Sequence, residues 1–220
     1  MLEKQLPYKY KVYDEIKKKI LCGQYAPGDV LNERRLSEEL GISRTPVREA
    51  LQMLQQDGWL QIETYKGAIV QTFDLRYMKE VSAIRAALEE CAVRQAVGHI
   101  TNEDLNELEA LVEAQRATVE NFRVETFMET DRNFHSYIYD LSRNKELIHL
   151  LRNYSDLFRF LGTQAALYTE ERRNTTVSEH AAILEGLRSR NAEAAVAAIR
   201  RHMENTEQNM IARLSASGRA

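Results

Sequence analysis

Asn32-Glu33-Arg34-Arg35-Leu36-Ser37-Glu38-Glu39-Leu40-Gly41-Ile42-Ser43-Arg44-Thr45-Pro46-Val47-Arg48-Glu49-Ala50-Leu51, the larger part of a run that begins at Pro27-Gly28, reads as two short helices joined by a tight turn. Asn32 can accept a backbone N–H at the first turn of a helix with Leu36 and Leu40 at apolar positions, and Gly41 supplies a left-handed stop. After a turn from Gly41 to Arg44, Thr45 as N-cap and Pro46 as first helical residue open a second helix. Val47, Ala50, Leu51 and Leu54 are spaced for burial on that helix. Its other face carries Arg48, Gln52 and Gln55, with Arg44 just ahead. These long hydrogen-bonding side chains can reach phosphates and base edges. A helix-turn-helix places the start of its second helix in the major groove, so this stretch points to DNA.

The flanks extend the unit. Asp57-Gly58 ends the helix, Trp59 to Glu63 alternates like a strand, Tyr65-Lys66-Gly67 can turn, and Ala68-Ile69-Val70 returns as a second strand, giving a wing. Upstream, Tyr8 to Cys22 predicts a first helix with Val12, Ile16 and Ile20 inward, and residues 23–28 form the loop that follows. Residues 8–71 are therefore expected to form a winged helix-turn-helix of three helices and a β-hairpin.

This stretch resembles the DNA-binding domain of the GntR family of bacterial transcription regulators. The resemblance is carried by Pro27-Gly28, Leu36-Ser37-Glu38, Ser43 to Leu51 and Asp57-Gly58-Trp59-Leu60. It implies that Arg34, Ser43, Arg44, Thr45, Arg48, Lys66 and Gly67 sit where family members touch double-stranded operator DNA. The wing has one glycine where a pair is more usual. Arg35 is expected to face solvent or to pair with Glu39 one turn on.

At 220 residues and 44% hydrophobic content, the chain has room for two domains with packed cores. The net charge is −3, and the halves hardly differ: residues 1–71 hold eleven Lys+Arg and ten Asp+Glu, residues 72–220 nineteen and twenty-three. DNA affinity must then come from a few placed arginines and from dimerisation, not from a broad basic field. Cys22 and Cys91 show no metal or redox spacing, which suits a reduced, cytoplasmic protein. Met1 to Gln5 lacks the apolar core of a secretory signal. No apolar run reaches the roughly 20 residues needed to cross a bilayer. All three prolines precede residue 47, which favours an all-helical second domain after a linker at 72–75.

From Leu75 the periodicity is helical. Met78, Val81, Ile84, Leu88, Cys91 and Ala92 share a face, and Gly98 can close that helix. Thr101-Asn102-Glu103-Asp104 reads as a capping box ahead of Leu105, Leu108, Leu111 and Val112. Further helices are expected over 125–141, from 146 to about 167, from a second capping box at Thr176 to Glu179, and from Asn191, making a bundle of about six. Phe122, Phe127, Phe134, Tyr137, Tyr154, Phe158 and Phe160 are read as core.

Asp131 and His135, four apart, project from one helical face and can bind a single cation. His180 falls at the expected start of the fifth helix and His202 within the sixth. By spacing alone the Asp-His pair is more often a surface or core feature than a metal site. Residues 76–212, however, resemble the FCD-type effector domain of the FadR-like branch of the same family. The carriers are Arg85-Ala86-Ala87-Leu88-Glu89, Asp131 to His135, Glu179 to Leu184, and Arg200-Arg201-His202. That resemblance implies a divalent metal on Asp131, His135, His180 and His202, with zinc the first choice and nickel, manganese or iron as alternatives. It also implies a small carboxylate effector held at the ion's open positions. Arg85 is either an effector contact or a salt-bridge partner of Glu89, while His99 and His149 match no ligand position.

The expected function is a ligand-responsive, DNA-binding transcriptional regulator, by default a repressor, acting as a homodimer on a palindromic operator. The competing reading is a metal-dependent hydrolase or lyase built on the Asp/His/His/His set.

Overall fold

The computed structural model describes residues 7–216; Met1 to Gln5 lie outside the described residues. The chain divides into two compact units that meet in sequence at Phe73 and Asp74.

The first unit opens with α1 (Tyr8–Leu21), which buries Val12, Ile16, Ile20 and Leu21 and packs on α3. A two-residue strand, β1 (Val30–Leu31), leads into α2 (Glu33–Leu40). The Asn32 side chain caps α2 by accepting from the Arg34 and Arg35 amides at 2.9 and 3.1 Å. Gly41 ends it at φ 64°, in the left-handed region where a side chain would be strained.

The next helix, α3, spans Arg44–Gln56, with Ser43 as its N-cap. It therefore starts two residues earlier than the expected Thr45 cap, and Arg44 is its first helical residue. The reason lies in the first turn: its amides need no intrahelical acceptor, so Pro46 is accommodated at the third helical position as easily as at the first. Val47, Ala50, Leu51 and Leu54 are buried as expected.

Strands β2 (Leu60–Glu63) and β3 (Gly67–Val70) form the wing, with Leu60 opposite Val70 and Glu63 opposite Gly67. Strand β1 pairs with the other edge of β3, so the sheet has the order β1-β3-β2. A two-residue strand shows no periodicity, which is why β1 was not expected.

The second unit contains seven helices among the described residues: α4 (Leu75–Ala96), α5 (Asn102–Glu120), α6 (Val124–Leu141), α7 (Lys145–Asn153), α8 (Ser155–Ala166), α9 (Glu170–Arg188) and α10 (Ala192–Ala216). Asp74 caps α4, and Thr101 with Asp104 forms the anticipated capping box on α5. Val93, Leu108, Phe127, Phe134, Ile138, Ile183, Leu187 and Ile199 belong to the shared core.

Two expectations fail here. The single helix expected from 146 to 167 is broken at Tyr154, which closes α7 and opens α8. The buried sets on its two sides, Leu147 and Leu151 against Phe158, Phe160 and Leu161, do not continue one stripe. The helix expected at Thr176 in fact begins at Glu170, where the Thr169 hydroxyl accepts from the Arg172 amide at 3.0 Å. Inside α9 the hydroxyls of Thr175, Thr176 and Ser178 bond back to carbonyls four residues earlier, so they are helix-interior groups and not a cap. His180 accordingly sits in the middle of its helix.

Candidate functional site

In the second unit, α4, α5, α6, α9 and α10 bring together a buried polar cluster inside an apolar bundle. Asp131 and His135 come from α6, one turn apart, His180 from α9 and His202 from α10. One ligand atom from each lies within 4.8 Å of the others, and all four side chains are buried. The rings of His180 and His202 are 4.7 Å apart, and those of His135 and His180 are 5.0 Å apart. Phe134 stacks on His180 at 4.3 Å and fixes that ring's plane.

Each histidine is gripped at Nδ1 from a different residue. His135 faces Glu89 on α4 at 3.1 Å, His180 faces the Gln115 side-chain oxygen on α5 at 2.7 Å, and His202 faces Glu179 on α9 at 2.7 Å. An acceptor at Nδ1 selects the tautomer with its lone pair on Nε2. Nε2 of His135 and of His180 has no hydrogen-bond partner, although both atoms are buried. An orphaned buried polar atom costs about 1–3 kcal/mol, a cost that a cation in contact with it would remove. Three imidazoles and one carboxylate form a donor set suited to a divalent first-row metal, so the residues fit such an ion.

The surroundings set the charge states. Burial, followed by repulsion from neighbouring cations, holds the His180 and His202 imidazoles well below the usual histidine range, which keeps their lone pairs available. Burial alone would raise the Glu89 carboxyl, but His135, Arg85 and the Tyr139 hydroxyl overcome it and bring it down to about 2. Glu179 is pushed up by burial against the opposing pull of Arg172 and Asn205. Arg85 Nε donates to Glu89 at 3.2 Å, and Arg172 Nη1 donates to Glu179 at 2.8 Å. The Arg85 salt bridge considered from sequence is thus present. The same guanidinium also lines two narrow clefts at the cluster, one shared with Asp131, Arg132, His135, Ser155 and Arg159, the other with Asp131, Arg172, Thr176, His202 and Thr206.

Gln115, Glu179 and Arg172 were missed by the sequence reading. Gln115 had a legible signal: it falls in the apolar stripe of α5 with Leu105, Leu108, Val112 and Val119, and is fully buried there. His99 and His149 are exposed and stand apart from the cluster.

In the first unit, the residues expected to face DNA are spread over α2, α3 and the wing. Ser43, Arg44, Thr45 and Arg48 are exposed at the start of α3. Arg48 makes a bidentate pair with Glu33, with both contacts at 2.9 Å. Arg34 pairs with Glu38, and Arg35 pairs with Glu39 as anticipated. Lys66 pairs with Glu63 in the wing turn, where Tyr65 and Gly67 both take positive φ.

Comparison with known proteins gives concordant matches. Residues 9–70 match the model of bacterial regulatory proteins of the gntR family, and residues 80–205 match the FCD domain model. The chain is 32% identical over 196 residues to the HTH-type transcriptional regulator YdhC of Bacillus subtilis, covering 88% of this chain and 87% of that protein. It is 27% identical to the HTH-type transcriptional repressor RspR of Escherichia coli, covering 93% and 89%. Among solved structures, that of Escherichia coli McbR/YncC superposes with a TM-score of 0.75 at 25% identity, covering 97% of this chain and all of that one.

Proposed function

The chain belongs to the GntR family of bacterial regulatory proteins and carries an FCD domain; from that premise we propose that it is a metal-dependent repressor that senses a small carboxylate. As a member of this family it is a DNA-binding transcriptional regulator and not an enzyme. The finer reading assigns DNA binding to residues 8–71, a linker to 72–75, and effector sensing and dimerisation to 76–212. Two recognition helices of a homodimer would enter successive major grooves of a palindromic operator, about 34 Å apart. Arg34, Ser43, Arg44, Thr45, Arg48, Lys66 and Gly67 would make the contacts.

The observation that carries the sensing half is the convergence of the buried Asp131, His135, His180 and His202 ligand atoms beside the Arg85 guanidinium. These four residues would hold a divalent ion, zinc by first choice. A bound ion would supply a Lewis-acidic attachment point for a carboxylate. Arg85 would face the far oxygen of that acid, while Glu89, Gln115 and Glu179 keep the imidazoles in the ligating tautomer. Such an effector alters DNA affinity only if it binds the DNA-competent and incompetent states unequally.

The test is metal analysis of the purified protein beside a gel shift on its operator. Stoichiometric metal, lost in His180→Ala and His202→Ala, together with operator binding relieved by a small acid that is not turned over, is the expected result. Full metal occupancy in both variants would refute the ligand set.

A further inference from the structure

Three residues stand behind the three histidines, and they are not alike. Glu89 and Glu179 are carboxylates, each neutralised by its own buried arginine, Arg85 and Arg172. Gln115, behind His180, is an amide and brings no charge. Its two ends do different work. The oxygen accepts from His180 Nδ1 at 2.7 Å, while the nitrogen donates to Asp131 Oδ1 at 3.4 Å. One fully buried side chain on α5 therefore ties a ligand on α9 to a ligand on α6.

We propose that Gln115 is the positioning residue of the metal centre, and that its neutrality is what leaves the loaded centre able to take an anion. This inference rests on the metal reading above. Leucine would suit the apolar stripe of α5 better than an amide at this position. A buried amide is tolerated only because both of its ends are satisfied. Among the four ligands and the side chains bonded to them, both acid–arginine pairs are neutral and Gln115 is uncharged, so the Asp131 carboxylate is the one net charge set against a divalent ion; Arg132 and Arg159, which line the adjoining cleft, add only positive charge. The loaded centre then keeps a single positive charge, which one carboxylate neutralises. A glutamate at 115 would still accept from His180, but it would lose the donor to Asp131 and its charge would cancel that of the loaded centre.

The experiment uses the full-length protein, stripped of metal and titrated with Co2+, with chelator competition for affinity and the visible Co2+ absorption bands as the geometric readout. Acetate is the anion probe. Gln115→Leu should bind Co2+ about 10–100-fold more weakly than the parent and show altered absorption bands. Gln115→Glu should bind Co2+ at least as tightly as the parent, while its bands no longer respond to acetate. Parent-like affinity, bands and acetate response in Gln115→Glu would overturn the proposal, whether or not Gln115→Leu folds. A parent protein that takes up no stoichiometric Co2+ would instead overturn the metal reading beneath it.

Discussion

Arg48 is held by Glu33 in a two-point pair, so in the DNA contact proposed above its guanidinium would exchange a carboxylate for phosphate or base-edge acceptors. The Arg48 side chain is exposed to solvent, which screens the pair, so it contributes little to stability. Glu33→Gln should therefore leave thermal stability nearly unchanged and tighten binding to non-operator DNA at low salt, measured by fluorescence anisotropy. Unchanged non-specific affinity would mean that the pair does not restrain Arg48. Arg44→Ala and Arg48→Ala should each weaken operator binding about 5- to 150-fold, from about 1–3 kcal/mol per lost contact, with metal content intact. Retained gel-shift affinity in both would sink the DNA-contact assignment. In the second unit, the Tyr137 hydroxyl donates to Asp104 at 2.9 Å, and burial together with that carboxylate pushes its pKa up to about 12. Because the folded value lies above the ordinary 10.0, the stabilisation is complete below pH 10 and lost as pH rises through 12. Tyr137→Phe should cost about 0.5–1.5 kcal/mol at pH 8, and that cost should shrink steadily above pH 10 and vanish only above pH 12, read from denaturant midpoints.

Two glycines on adjacent helices separate a backbone constraint from a side-chain one. A Cβ at Gly186 on α9 would meet the Ala195 Cα at 2.6 Å and its nitrogen at 2.7 Å, so α9 and α10 approach this closely only without it. At Gly162 on α8 the obstacle is the Met128 Cε at 2.9 Å, the far end of a flexible side chain. Gly186→Ala should destabilise the second unit by about 1–3 kcal/mol or more, while Gly162→Ala should cost under about 1 kcal/mol; equal Tm losses would contradict this. Legibility in the sequence varies by element in the same physical way. Helices α2 and α5 announce their starts through Asn32 and Thr101, whose side chains cap by local bonds, whereas the Asp74 cap of α4 goes unread within the segment assigned to a linker. The start of α9 was misread because Thr176 and Ser178 look like caps, and only the completed helix shows their hydroxyls bonding backward. Asp131 and His135 were readable as a pair by helical spacing. Their meeting with His180 and His202 depends on how α6, α9 and α10 pack, which spacing does not encode and only the family resemblance supplied.

At the scale of the molecule, the two compact units carry separate reporters. Trp59, the single tryptophan, is buried in the first unit against Phe73, whereas seven of the helices among the described residues lie in the second with the Asp131, His135, His180 and His202 cluster. An ion that binds only the folded state stabilises it by mass action, about 2.7 kcal/mol at a hundredfold excess over its dissociation constant. For a unit of this size that corresponds to about 5–11 °C in Tm. Saturating Zn2+ added to chelator-stripped protein should therefore raise the helix-melting transition seen by far-UV circular dichroism by that amount and leave the Trp59 fluorescence transition where it was. In His202→Ala the circular dichroism shift should vanish while the Trp59 transition keeps its parent value. A Trp59 transition that moves as far as the helical one would place the stabilising ion outside the Asp131, His135, His180 and His202 cluster, or show that its energy is shared by both units. Either outcome would require a new account of how the binding energy of an ion in residues 74–216 is confined.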